Sequence, residues 1–144
     1  MATSVIIIAI YPGQQHNAYA QTSQNIISTQ KEFPVTPGSH PHDVAPTKNG
    51  EMVWYTAQAS GKVGRLDSSN GKIHEIALGR GSAPHGIIIG PDGGPWITDG
   101  GLNAIVRVNP INERLQVFPL PRNSGYANLN TATFDHHGIL WFTG

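Results

Sequence analysis

The sequence predicts an all-β protein built from repeated four-stranded antiparallel units. Three observations support this prediction. Tryptophan recurs at a nearly constant interval, segments rich in Val, Ile, Phe and Trp recur with it, and turn residues separate these segments every eight to ten positions. A four-stranded unit that repeats every 40 to 45 residues is typical of a β-propeller blade. The chain therefore holds about two and a half blades.

The tryptophans mark the repeat most clearly. Trp54, Trp96 and Trp141 each lie between two apolar residues or beside one, and each is followed two residues later by threonine. The intervals between them are 42 and 45 residues. The pair Pro41-His42 returns 43 residues later as Pro84-His85. We therefore place the blades at about 40–78, 83–121 and 129–144, and we expect the three tryptophans to form the core between blades.

The second copy shows how each strand is predicted. Its four apolar segments are separated by turns at Pro91-Asp92-Gly93-Gly94, Gly100-Gly101 and the segment after Pro110. Gly and Pro number 17 and 11, and no apolar stripe of helical period is present, which excludes a helical repeat. The predicted strands are 86–90, 95–99, 104–109 and 115–120.

The composition excludes several classes of function. Lys and Arg together number 9, as do Asp and Glu, so the formal net charge is zero. A balanced chain has no long-range attraction to phosphate, so we expect neither a nucleic-acid partner nor an anionic membrane surface. There is no cysteine, which excludes a thiolate nucleophile, a disulfide framework and a thiolate metal site.

The N-terminus is interpreted separately. Residues 5–10 form an apolar run, and Ala18-Tyr19-Ala20 fits a small-x-small cleavage pattern, so we interpret 1–20 as a signal peptide. The run is too short to span a bilayer, and no Lys or Arg precedes it. A loose tail and a buried strand remain alternatives. Residues 21–32 are polar and predicted to be a linker, and 33–144 form the partial propeller. The expected location is secreted or periplasmic, or cytoplasmic if no leader is present.

The blade count also leads to an expectation about the parent protein. Propellers close with four to eight blades, and two and a half blades do not close. We expect the chain to be a fragment or a truncated reading frame of a longer, monomeric parent. Closure by self-association is the alternative.

The second repeat resembles the virginiamycin B lyase (streptogramin lyase) family. The resemblance lies in Pro84-His85-Gly86-Ile87, in Trp96-Ile97-Thr98-Asp99 and in Phe118-Pro119-Leu120-Pro121, and it extends over about 33–144. It implies a seven-bladed parent that opens a cyclic depsipeptide antibiotic at its ester bond. It also implies that the reaction is a magnesium-dependent elimination, in which a base removes the proton α to a carbonyl and an acid assists the leaving carboxylate.

The resemblance points to His42 and His85, which match a Pro-His motif whose histidines face the central channel. A histidine titrates near neutral pH and can serve as base or acid. Three roles remain open for this pair: catalysis, lining of the substrate funnel, and a purely structural role. The family's catalytic histidines lie in late blades, and Ala83 and His40 occupy a position where one family motif has Glu. Asn130 replaces the histidine in the third repeat and is interpreted as a funnel residue that forms hydrogen bonds.

Other polar residues are interpreted as structural. Asp99 either caps the following glycine turn or meets a metal ion, and Arg65 and Arg107 are expected to connect blades. His40 and His42 form a metal-like pair without a third ligand, so we identify no metal ligands in this chain.

Two functions from different classes remain. In the first, the parent protein is a lyase that inactivates streptogramin antibiotics. Its substrate would be a small cyclic peptide. The second is a non-catalytic secreted propeller that serves as a binding or scaffolding module. A lactonase-like hydrolase ranks last, because it needs clustered acidic calcium ligands and the chain has only 9 dispersed carboxylates. We expect the 144-residue chain to be inactive on its own.

Overall fold

A computed structural model of the chain describes residues 31–144 together with the backbone of residues 4–7. Within that part the regular structure is β-sheet, apart from two short 3-10 turns at Gln58–Ser60 and Arg122–Ser124. None of the helical segments described there is long and apolar enough to cross a membrane. Contacts divide the chain into a short unit that ends at Val35 and a larger unit that begins at Thr36.

The short unit contains one antiparallel pair of strands. Strand β1 (Ser4–Ile7) pairs with β2 (Lys31–Pro34). Most of the leader expected over 1–20 and of the linker expected over 21–32 lies outside the described residues. Of these two segments, only β1 and the first two residues of β2 are described.

The larger unit contains two four-stranded antiparallel sheets and one two-stranded sheet, which we call the first, second and third blades. In the two complete blades the strands lie side by side in chain order, so the all-β propeller prediction is confirmed. The first blade comprises β3 (Pro41–Pro46), β4 (Met52–Ala57), β5 (Lys62–Asp67) and β6 (Ile73–Ala77). The second comprises β7 (Pro84–Ile89), β8 (Pro95–Asp99), β9 (Ala104–Val108) and β10 (Leu115–Pro119), and the third comprises β11 (Ala132–Phe134) and β12 (Leu140–Phe142).

The strand boundaries of the second blade agree with the predicted ones to within one residue, except at the start of its first strand. Strand β8 begins and ends where the flanking turn residues predict, whereas β7 begins at Pro84 rather than at Gly86. Proline is accepted there because the first residue of a strand need not donate an N–H to the ladder. The structure therefore places His85 inside the strand.

The turn between the first and second strands of each blade has the same backbone. Gly50, Gly93 and Gly138 adopt φ values of 71°, 77° and 78°. Glycine occupies this left-handed region without the steric cost that a side chain brings. A turn with a left-handed glycine thus joins the first two strands in all three blades.

The apolar core lies between the first and second blades. Trp54 and Val63 contribute one side, and Ile87, Ile97 and Val106 contribute the other. Each of these five side chains is at most 3% exposed. Strand residues alternate between faces, so the face that carries Trp54 also presents Thr56 to the second blade.

The tryptophans of the later repeats are progressively less buried. Trp96 is stacked against Phe118, with ring centroids 5.6 Å apart, and meets the edge of Phe134 of the third blade at 5.4 Å. Trp141 is 60% exposed. The core prediction is therefore confirmed for Trp54 and wrong for Trp141, because no described strand packs over the face of the third blade that carries it.

Candidate functional site

A Pro-His pair opens the first strand of both complete blades. The register shifts after each pair, between Pro41 and Val44 in β3 and between Pro84 and Ile87 in β7. Such a bulge takes backbone groups out of the sheet ladder and redirects neighbouring side chains. The two histidines thus lie in equivalent, irregular positions on neighbouring blades.

In each complete blade, the threonine two residues after the tryptophan accepts a backbone N–H from the bulge of the same blade. Thr56 Oγ1 accepts the Asp43 N–H at 3.0 Å, and Thr98 Oγ1 accepts the Gly86 N–H at 2.9 Å. A buried backbone donor without a partner would cost about 1–3 kcal/mol. Each hydroxyl therefore satisfies a donor that the bulge has removed from the ladder.

The same hydroxyls also join neighbouring blades. Thr56 Oγ1 donates to the His85 carbonyl of the second blade at 2.8 Å, and Thr98 Oγ1 donates to the Asn130 carbonyl of the third. Near the two histidines the first interface has a further bond, in which the Ile87 N–H donates to Asp43 Oδ2 at 3.0 Å. The backbones that carry His42, His85 and Asn130 are consequently connected in series.

The imidazoles of His42 and His85 are in contact. Their ring centroids are 3.8 Å apart and the planes are tilted by 44°. The His42 side chain is exposed, and His85 is half-buried. Burial, and then the charge of His42, lower the pKa of His85, while a hydrogen bond to the Asn130 backbone and the charge of Asp43 act in the opposite direction. The lowered pKa favours the neutral form of the His85 imidazole.

A neutral imidazole at this position has defined chemical abilities. One ring nitrogen donates a hydrogen bond and the other accepts one, so His85 can bind an amide or an ester, or it can take up a proton. Its partner His42 presents a second imidazole to solvent. The pair therefore suits a polar, uncharged ligand that offers both carbonyl and N–H groups.

The three funnel residues predicted from the sequence are brought to one edge of the blades. His42 and His85 touch each other through their rings, and Asn130 approaches the second blade through its backbone carbonyl. Gly86 makes this approach possible, because a Cβ there would overlap the Asn130 carbonyl oxygen and lie 2.8 Å from Thr98 Oγ1. The Asn130 side chain is exposed.

The carboxylates near these strands are occupied by structural hydrogen bonds. Asp43 accepts the N–H groups of Val44 and Ile87. Asp99 is fully buried and accepts from the Ser82 hydroxyl and from two backbone N–H groups, which agrees with the turn-capping interpretation. Neither carboxylate has an oxygen free of these contacts.

The described residues do not fit a magnesium ion. They contain no group of three or more histidine, aspartate or glutamate side chains arranged to hold a metal. Magnesium prefers oxygen ligands in near-octahedral geometry, whereas the His42–His85 pair offers imidazole nitrogens. No magnesium site is assigned to this part of the chain.

The two recurring arginines occupy different environments. Arg65 crosses between blades, because its Nη1 donates to the Pro110 carbonyl at 3.4 Å. Arg107 stays within the second blade, where it pairs with Asp92 and donates to Gln116 Oε1 at 2.7 Å. The expected inter-blade role is therefore present for Arg65 and wrong for Arg107, whose guanidinium is held by neighbours on its own sheet.

Three residues of the site, Asp43, Thr56 and Thr98, were not predicted from the sequence. A signal was available, since threonine recurs two residues after each tryptophan. A threonine in a strand is ordinary on propensity grounds, so its second bond to the next blade becomes visible only in three dimensions.

The fold of the chain is similar to that of solved lyase structures. A catalytically inactive histidine-to-alanine variant of virginiamycin B lyase from Staphylococcus aureus, solved with quinupristin, is 29% identical with a TM-score of 0.74. The match covers 83% of this chain and 40% of that chain. A streptogramin B lyase structure is 30% identical with a TM-score of 0.73, over 81% of this chain and 38% of that one. This chain thus spans about two fifths of the length of these lyases.

The comparison with curated proteins found no match. The sequence model of the virginiamycin B lyase family, in contrast, matches residues 13–144. That range includes both complete blades, the two strands of the third and the Pro-His motifs. The lyase structures share the fold of this chain, and the sequence match covers most of its length. The chain therefore belongs to the virginiamycin B lyase family.

Proposed function

We propose that this chain forms part of a lyase that opens cyclic streptogramin B depsipeptides at their ester bond by elimination. Within that lyase, the His42–His85 pair lines the funnel that receives the substrate. The observation that carries this proposal is the contact of the two rings, 3.8 Å apart, at matching strand starts of neighbouring blades. Family membership and the quinupristin complex of the Staphylococcus aureus lyase support the substrate class.

The chemistry of the pair suits a cyclic depsipeptide. Such a ring carries amide and ester carbonyls together with amide N–H groups, and it lacks free backbone termini. A neutral His85 can donate to a carbonyl or accept from an N–H without the desolvation cost of a charged side chain. Asn130, which is exposed and does not titrate, adds both donor and acceptor capacity beside it.

The pair binds and orients the substrate in this proposal and does not break the ester bond. Elimination needs a base that takes the α-proton and an acid that assists the leaving carboxylate, both at near-contact geometry. Asp43 and Asp99 are engaged by backbone N–H groups and are poorly suited to either task. We assign the catalytic acid, the catalytic base and the magnesium ion to the whole lyase. No step is assigned to a metal ion at the described residues.

Binding is tested with the full chain labelled on its histidine rings. Virginiamycin B is titrated into the protein and the imidazole signals are followed by NMR. We expect the signals of His42 and His85 to shift together, while those of His136 and His137, in an exposed turn of the third blade, stay in place. His85→Asn should weaken binding by roughly tenfold, the equivalent of one lost hydrogen bond.

The ester-opened form of virginiamycin B is the matched control ligand. A funnel that recognises the ring should bind the linear form more weakly. Equal shifts with both ligands, or shifts confined to His136 and His137, would contradict a substrate funnel at the pair.

A second candidate function is a non-catalytic binding propeller. It is favoured by one observation, namely that both carboxylates near the histidine pair already serve structural hydrogen bonds. The two functions are separated by grafting residues 36–144 onto the remaining blades of the solved streptogramin B lyase. An active graft whose product has the mass of the substrate supports the lyase, and a graft that binds without turnover supports the binding module.

We further propose a secreted or periplasmic location, based on the apolar run and the Ala18-Tyr19-Ala20 pattern. Expression of the full chain in a bacterial host, followed by N-terminal sequencing of the exported protein, tests this. Export with Gln21 as the first residue is expected, and retention of Met1 in the cytoplasm would contradict it.

A further inference from the structure

A single hydroxyl group forms hydrogen bonds to the backbone beside both histidines. Thr56 Oγ1 accepts the Asp43 N–H, which belongs to the peptide that directly follows His42. The same oxygen donates to the His85 carbonyl, which belongs to the peptide that directly follows His85. One hydroxyl therefore joins the peptides next to both histidines, across the interface between two blades.

A carboxylate strengthens this connection from the other side. Asp43 Oδ1 accepts its neighbour Val44 N–H at 2.9 Å, and Asp43 Oδ2 accepts the Ile87 N–H of the second blade at 3.0 Å. Thr56 thus holds the backbone just after His85, and Asp43 holds it two residues further along. These two contacts restrain the backbone that carries His85 relative to the backbone that carries His42.

We propose that Thr56 and Asp43 are the positioning residues of the site, which hold the His42 and His85 imidazoles in contact by clamping the two strand bulges to each other. The role of this clamp in substrate recognition rests on the proposed function. The clamp itself needs no ligand and belongs to the chain alone. Neither Thr56, which is fully buried, nor the backbone atoms it binds need touch the substrate.

The other two repeats supply an internal comparison. Thr98 makes the same pair of bonds at the next interface, to the Gly86 N–H and to the Asn130 carbonyl. Gly86 stands where the first blade has Asp43, so only the first interface carries the additional carboxylate bond. Thr143 occupies the matching position in the third blade, where it is exposed and accepts the Thr131 N–H at the longer distance of 3.3 Å.

The clamp is tested in the full chain with Thr56→Val, which keeps the shape and removes the hydroxyl, and with Thr56→Ser, which retains the hydroxyl. Thr143→Val removes the same group away from the histidine pair and serves as the matched control. In the unmodified chain we expect nuclear Overhauser contacts between the two rings and a His85 pKa below the usual value of about 6.5.

Thr56→Val should abolish the ring contacts and return the His85 pKa toward about 6.5. Thr56→Ser and Thr143→Val should leave both readouts unchanged. A general loss of stability would not produce this pattern, since serine rescues the site only if the hydroxyl itself matters. A folded Thr56→Val chain with intact ring contacts and an unchanged His85 titration would overturn the proposal.

A measurement on the unmodified chain guards against a variant that fails to fold. The Asp43 amide should exchange with solvent as slowly as the sheet amides of β4, because Thr56 Oγ1 accepts it. Exchange at the rate of an exposed turn would also overturn the clamp. These readouts contain no ligand, so a chain with the clamp that fails to bind virginiamycin B would contradict only the proposed function.

Discussion

At the scale of single residues, Ser39 and Ser82 occupy equivalent positions in the two complete blades but differ in their hydrogen bonding. Ser82 in the second blade donates its hydroxyl to Asp99. The matching positions in the first blade hold Ser39 and Ala57, and the buried Ser39 Oγ has no hydrogen-bond partner among the described residues. Both blades therefore have the serine, but only the second blade has the carboxylate that accepts its hydrogen bond.

We expect Asp99→Ala to lower the free energy of unfolding by about 3 kcal/mol, because hydrogen bonds to a buried charged acceptor are worth about 1.5–3 kcal/mol. The substitution leaves the Ser82 hydroxyl and the backbone N–H groups of Ala83 and Leu102 without their acceptor. Urea unfolding of the full chain measures the change.

Ser39→Ala is the matched control for this prediction. It removes a buried hydroxyl that has no described partner, so stability should stay the same or rise slightly. If the two variants lost stability equally, the difference between the blades would have no energetic consequence.

The pKa of His85 predicts how stability depends on pH. Because the folded chain lowers this pKa, the unfolded chain takes up the proton first as the pH falls below about 6.5. Stability should therefore decrease from pH 7 towards pH 5, and His85→Gln should flatten the profile. The midpoint of urea unfolding at each pH provides the measurement. His136→Gln, in the exposed turn, should leave the slope unchanged, and an equally steep slope in His85→Gln would contradict the prediction.

At the scale of elements, the strand-to-strand contacts between blades depend on close backbone approach. Gly86 lies on β7 where β11 and its preceding loop come nearest, and a Cβ there would overlap the Asn130 carbonyl oxygen. Gly100, in the turn between β8 and β9 of the same blade, has its nearest neighbouring atoms 3.8 Å from a Cβ position, which is an ordinary contact distance. The two glycines therefore differ in how they respond to a methyl group.

Gly86→Ala should lower the free energy of unfolding by about 1–3 kcal/mol, the range typical of overpacking, and should separate the third blade from the second. Gly100→Ala should cost far less. Chemical denaturation compares the two variants, and the Thr98 and Asn130 NMR signals report the separation. Equal stabilities of the two variants would show that the fold does not require the close approach of the Asn130 carbonyl to Gly86.

The strands of the complete blades could largely be predicted from the sequence, whereas the connections between blades could not. The boundaries of Pro95–Asp99 followed from turn residues on both sides. The start of β7 at Pro84 was missed because proline argues against a strand unless it stands first and a bulge follows. The second bond of Thr56 depends on how two blades meet, a geometry that no local pattern encodes.

The candidate site was predictable to a similar extent. The repeated Pro-His pair directed attention to His42 and His85, and the structure brings their rings into contact. The lowered pKa of His85 arises from burial and from the neighbouring His42, both of which require the fold. Their assignment to a substrate funnel remains a prediction.

At the scale of the whole molecule, large apolar side chains are exposed on and next to the third blade. Tyr126, Ile139, Trp141 and Phe142 are 69%, 54%, 60% and 41% exposed. Clustered apolar residues on a surface favour association, whereas single ones are common on soluble proteins. The 144-residue chain should therefore associate as its concentration rises.

Sedimentation velocity over a range of concentrations tests this expectation. The double variant Trp141→Ser and Phe142→Ser should shift the distribution toward monomer. Ile111→Ser, which removes a 93% exposed side chain in a turn of the second blade and away from the third, should leave it unchanged. A chain that sediments as a monomer at every concentration would contradict the prediction.

We also expect the 144-residue chain alone not to open virginiamycin B at a measurable rate. General acid or base assistance contributes roughly a hundredfold to ten-thousandfold per group, and of the three predicted funnel residues only His42 and His85 could supply it, because the Asn130 amide does not titrate. Mass spectrometry of the cyclic substrate after incubation, with and without magnesium, provides the test. A linear product of unchanged mass would make the two histidines catalysts, and a product heavier by one water would indicate hydrolysis.

The threonine hydroxyls give each blade a direction. On its second strand a complete blade carries a donor for the blade that follows, and the acceptor of that next blade lies on its first strand or in the loop just before it. Both halves of the joint are thus encoded within one repeat of the gene. A duplicated repeat arrives already compatible with its neighbours, so this architecture can grow by tandem duplication without new contact residues. The same property makes a single blade a suitable unit for designing propellers from identical copies.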